Sequence, residues 1–294
     1  REDMIASKMS KEQKGRCVMC RTEYPDNTKE GWKEELERLC KWVKKGKAWA
    51  QNMLGCRYRS GDGVDKDDKR AVELYTLAAD QGHSDAQHNL GNMYAECRGV
   101  DKDENRAVEL YTLAADQGHC VAQYNLGVMY AEGRGVDKDE KRAVELFTLA
   151  SEQGMADAQF DLAVMYANGE GVDKDNKRAV ELYTLAADQC YMQAQYNLGC
   201  MYDNGLGVDQ DDKRAFELYT LAADQDDALA QFNLGCMCAR GKGVNQSITK
   251  ARKWLTKAAS QGNEDAIDAL KALDEMEGRT TTPSSTVNSN TTFC

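Results

Sequence analysis

Along most of the chain apolar residues return three and four positions apart, the spacing that lays one stripe along a helix. Ala71, Leu74, Tyr75 and Ala78 make one such stripe, and Ala86, Leu90, Gly91 and Tyr94 make the next. The spacing predicts a helix over about Asp68 to Asp80 and a second over about Ser84 to Glu96. The polar punctuation agrees with both. Asp67 stands where an N-cap oxygen is needed, Gly82 and Gly118 where a left-handed C-terminal cap falls, and a Gly-x-Gly-Val turn such as Gly133-Arg134-Gly135-Val136 closes the second helix.

The helix pair then recurs. Its closing valine returns at Val64, Val100, Val136, Val172, Val208 and Val244, always 36 residues on. Such a period marks a stacked array, because one pair is too small to bury its own stripe and must cover it with a neighbour. Pro25 and Pro283 both lie outside the repeats, so the strongest helix breaker is missing from them. The expected fold is all-α, a right-handed α-solenoid of about seven 36-residue helix-turn-helix repeats over residues 33–275. Residues 33–45 form a degenerate first helix, and Leu270-Lys271, where most other units have Leu-Gly, suits a terminal cap facing water. Residues 276–294 lack apolar period and are expected to be disordered. Cys190 and Asp226 take the place of the cap glycine, a strain of about 1 kcal/mol.

Charge narrows the partners. Residues 1–60 hold 15 Lys and Arg against 9 Asp and Glu, while residues 61–294 hold 23 against 40. An acidic array repels a phosphate backbone, so nucleic acid is not its expected ligand. The basic opening segment suits an acidic partner or a solvated face. No apolar run approaches the roughly 20 residues of a membrane span. The eleven cysteines are scattered without a repeating pair, as reduced thiols in a cytoplasmic or nuclear protein would be.

Cys17-Val18-Met19-Cys20-Arg21 has the spacing with which two thiolates hold one corner of a tetrahedral zinc. Residues 1–16 offer no further Cys or His, so zinc would enter only with ligands upstream, and the chain by itself is expected to need no cofactor. The pair resembles the end of a RING-type zinc finger, with Val18 where that family usually has proline; an incidental pair and a redox dithiol are the other readings. Residues 1–32 are thus a truncated zinc-finger remnant or a linker. Other chemistry is poorly served. The repeated Asp-x-Asp of Asp65 and Asp67 lacks the remaining ligands of a calcium loop, and His83, His88 and His119 stand in no triad-like setting.

The order Ala-x3-Leu-Gly-x2-Tyr, Gly-x-Gly-Val, Asp, Ala and Ala-Ala resembles the Sel-one-like repeat family, relatives of the tetratricopeptide repeats. Cys97, Cys238, Cys190 and Asp226 are local departures from it. The resemblance implies a scaffold or adaptor for a protein or peptide partner, with the Leu-Gly helix lining a concave side. The residue two before the leucine would point into the groove, at His88, Tyr124, Phe160, Tyr196 and Phe232, with Val128 and Val164 one turn along. Packing of the same rings between helices as core is the alternative. A complete RING finger would make the parent a ubiquitin ligase, with this array choosing substrates and an E2 conjugating enzyme as a further partner; without one the chain is a stand-alone adaptor. A lactamase-type repeat enzyme is the remaining alternative, and the cysteine pair that such secreted relatives carry in each repeat is missing.

Overall fold

The computed structural model describes residues 29–280, all fourteen of whose elements are helices. They are α1 (Lys29–Lys44), α2 (Ala48–Ser60), α3 (Asp68–Ala79), α4 (Ser84–Ala95), α5 (Glu104–Ala115), α6 (Cys120–Glu132) and α7 (Glu140–Glu152). The series continues with α8 (Ala156–Asn168), α9 (Asn176–Ala187), α10 (Met192–Asn204), α11 (Asp212–Asp224), α12 (Ala228–Arg240), α13 (Ile248–Ser260) and α14 (Glu264–Thr280). The all-α repeat solenoid expected from the period is therefore the fold. The outer bounds differ, since α1 opens at Lys29 and α14 runs to Thr280. The chain divides into two compact units, Arg1–Ala122 and Gln123–Cys294, the division falling within α6.

Local chemistry sets the helix ends. The side chains of Asp67, Asp103, Asp139, Asp175 and Asp211 each accept a hydrogen bond from the backbone N–H three residues on, at 2.9–3.0 Å. Ser247 does the same for Lys250 at 3.3 Å. These caps satisfy first-turn amides that have no partner inside the helix.

Packing is tightest between each Leu-Gly helix and the helix that follows it. A methyl group on Gly91 of α4 would stand 2.7 Å from Cε1 of Tyr111 on α5, and one on Gly127 of α6 would stand 2.7 Å from Cε1 of Phe147 on α7. The glycine gives close approach. The ring that lies against Gly91 is Tyr111 of the following helix. Leu90, Leu126, Leu162, Leu198 and Leu234, each beside this glycine position, are 0–3% exposed and mark the core of both units. In unit 1 the cluster around them includes Ala71, Tyr75 and Met93, and in unit 2 Leu162, Leu182 and Leu198.

Buried glutamines tie three helices at a time. Nε2 of Gln195 on α10 donates to the Ala187 carbonyl at the end of α9 (3.3 Å), and its Oε1 accepts from Gln225, at the end of α11 (2.8 Å). Gln159 repeats the arrangement with Ser151 and Gln189, and Gln231 with Ala223 and Gln261. In unit 1 Gln87 makes it with Ala79 and Gln117. Each of these glutamines, though taken from water, thereby keeps hydrogen bonds at both its amide nitrogen and its oxygen.

Candidate functional site

Four Leu-Gly helices and α8, which has Leu162-Ala163 in the same place, present the residues expected to line a groove. His88 on α4, Tyr124 on α6, Phe160 on α8, Tyr196 on α10 and Phe232 on α12 are all half-buried, each two positions before a fully buried leucine. One edge of each of the first four leans on a ring of the following helix: His88 on Tyr111 at 5.9 Å between centroids, Tyr124 on Phe147 at 5.6 Å, Phe160 on Tyr183 at 5.8 Å and Tyr196 on Tyr219 at 5.8 Å. The rings combine a packed edge with an accessible remainder, so they share in the core without being enclosed by it. Val128 and Val164 are half-buried beside them.

The position one turn along is matched to that following ring. Tyr111 donates its hydroxyl proton to Oδ1 of Asn92 (2.7 Å) and Tyr219 donates to Sγ of Cys200 (3.3 Å). Val128 stands where the following ring is Phe147, which has no hydroxyl to satisfy. Val164 faces a repeat with Tyr183, whose hydroxyl instead accepts from Nδ2 of Asn197 at 3.2 Å. Asn92 and Cys200 thus each satisfy the hydroxyl of the following tyrosine, while Val128 meets a phenylalanine and Val164 leaves the Tyr183 hydroxyl to Asn197.

Several contributors lie outside the expected set. His119 stacks on His88 at 4.8 Å, and its Nε2 lies 3.2 Å from Asp85. Burial and the adjacent His119 charge lower the His88 pKa to about 4, so this ring is neutral near pH 7. Tyr191 lies 5.2 Å from Phe160. Both His119 and Tyr191 open a Leu-Gly helix, a position whose occupant changes from repeat to repeat and gives no recurrent signal.

Within unit 2, Tyr124, Val128 and Val164 line one concavity of about 310 Å³. The buried Phe147 and Met165 floor it, and Glu132, Lys138, Glu140, Asp161 and Glu170 complete its walls and mouth. The Tyr124 hydroxyl donates to Oδ2 of Asp161 at 2.9 Å. Burial, and then the negative charges of Asp157 and Glu132, hold the Asp161 carboxyl above its ordinary pKa, with the Tyr124 hydrogen bond opposing them. A different apolar row, Leu77, Leu113, Leu149, Leu185 and Leu221 on the intervening helices, is 45–51% exposed.

Cys17 and Cys20 lie outside the described residues. Among the described residues no group of three or more His, Cys, Asp and Glu is placed to hold a metal ion, and no helix is long and apolar enough to cross a membrane.

The Sel1 repeat model matches residues 50–83, 84–119, 120–155, 156–189, 193–227 and 228–263. Each matched unit is a Leu-Gly helix, or Leu-Ala in α8, with the helix after it, which leaves α1 and α14 outside and gives six units where the sequence period counts seven. A protective antigen of uropathogenic Escherichia coli displaying an SLR fold is 37% identical, with a TM-score of 0.79, over 85% of this chain and 53% of its own. This chain therefore spans about half the length of that antigen. A Sel1 repeat protein from Oxalobacter formigenes is 32% identical, with a TM-score of 0.68, over 78% of this chain and 92% of its own. No curated protein matches the chain.

Proposed function

Because the chain belongs to the Sel1 repeat family, we propose that it is an interaction scaffold whose Leu-Gly helices hold an extended or helical peptide of a partner protein. One observation carries this reading: a half-buried ring recurs at one helical position in five repeats, His88, Tyr124, Phe160, Tyr196 and Phe232. Rigid aromatics on a prepared surface give large contact area at little entropic cost, and they dominate interface energies. Acidic surroundings argue against nucleic acid as the ligand. Catalysis is not part of the proposal, and the cytoplasm or nucleus is the proposed place of action.

The test is photo-cross-linking. Peptides are selected by phage display on the native chain, and p-benzoylphenylalanine is placed at position 160 or, as a control, at the exposed position 185. Covalent capture from 160 and not from 185 is expected. Capture from 185 alone would place the binding face on the leucine row and overturn the assignment.

The Cys17-x2-Cys20-Arg21 segment supports a finer reading. In it the array chooses substrates for a RING-type ubiquitin ligase, zinc is held jointly with upstream ligands, and an E2 enzyme is a further partner. Two more Cys/His pairs encoded upstream of Arg1 would support it, and upstream sequence without them would remove it.

A further inference from the structure

Resting on the peptide-binding reading above, we propose that the concavity bounded by α6, α7 and α8 seats a lysine or arginine side chain of the partner. Its volume of about 310 Å³ lies at the small end of the range for ligand pockets, roughly 300–1,000 Å³. One long side chain suits that size. Tyr124, Val128, Phe147 and Val164 supply an apolar wall for a methylene stem, as basic side chains bury their stems and leave the charged head beyond them. The Tyr124 face adds attraction for a cation.

Charge selects the head group. At the position of Asp161 four other repeats have Asn89, Asn125, Asn197 and Asn233 and the first has Met53, so the acid is particular to this concavity. Glu170 and Glu132 stand at its mouth. Lys138 is held by Glu140 at 2.7 Å and Glu132 by Arg134 at 3.0 Å. Asp161 receives only the neutral Tyr124 hydroxyl, and the charges bearing on it are those of Asp157 and Glu132, both negative. A guanidinium or ammonium entering here supplies the opposite charge that a desolvated carboxylate lacks. An acidic or phosphorylated segment meets repulsion from the same groups.

The probe is a fluorescein-labelled heptapeptide, Gly-Gly-Leu-Arg-Leu-Gly-Gly, compared in fluorescence anisotropy with its citrulline counterpart, which keeps the shape and loses the charge. The native chain is expected to bind the arginine form about tenfold more tightly, the weight of one charge-assisted hydrogen bond. Asp161→Asn restores the residue of four other repeats and keeps an acceptor for Tyr124, so it should fold with an unchanged circular dichroism spectrum while the ratio falls to about one. Asp224→Asn removes the same charge from the exposed end of α11 and should leave the ratio intact. Equal binding of both peptides, binding of neither, or equal losses in the two variants would overturn the proposal. If both peptides bind equally and still cross-link at position 160, the binding face stands and the basic-residue assignment falls.

Discussion

Cys190 turns the chain with a φ of +63° and Asp226 with +67°, at the position where Gly82 and Gly118 both take +80°. A Cβ in this left-handed region is strained by about 1 kcal/mol, although an aspartate side chain can offset part of that by local hydrogen bonding. Cys190 has no such help. Replacing Cys190 by Gly should relieve more strain than the glycine adds in unfolded-state entropy, and should raise the melting temperature by about 2 °C in a thermal scan. An unchanged or lower melting temperature would contradict the strained cap. These substitutions were legible beforehand because the 36-residue register shows which residue replaces which glycine. Asp161 could be seen in the same register as an exception among asparagines. Its significance could not, because it depends on the Tyr124 hydroxyl 37 positions away and on the depth of the concavity.

At the scale of elements, helix starts were legible from Asp67 and its copies, since a cap acts within three residues of itself. Contacts between helices were less so. The glycine at 91 announces close approach, yet only the packing shows that Tyr111, 20 positions on, meets it. The glutamine ties are the clearest omission. Gln195 interrupts an apolar stripe and reads as a surface residue, whereas it is 2% exposed and joins the ends of α9 and α11. Gln195→Ala leaves the Gln225 amide and the Ala187 carbonyl short of a partner, which should cost about 1–3 kcal/mol. Urea unfolding of the variant checks this, and a loss under about 0.5 kcal/mol would show that water replaces both bonds.

At the scale of the whole molecule, repetition makes the fold easy to read and the function hard. Positions that recur do so because every repeat must stack on the next, and the same constraint would preserve a ring for packing or for binding alike. The half-buried state of Tyr124, Phe160 and Tyr196 sets the expectation that they contribute to both and are indispensable to the second. Full enclosure would make each ring worth about 3–5 kcal/mol on truncation to alanine, more in sum than a domain stable by about 5–15 kcal/mol tolerates. The most direct measurement is therefore made on the triple variant Tyr124→Ala, Phe160→Ala, Tyr196→Ala, by recording its helical circular dichroism at 25 °C together with its affinity for peptides selected on the native chain. A native helical signal with peptide binding lost is the expected result; an unfolded variant, or a folded one that binds the peptides as before, would contradict the binding face.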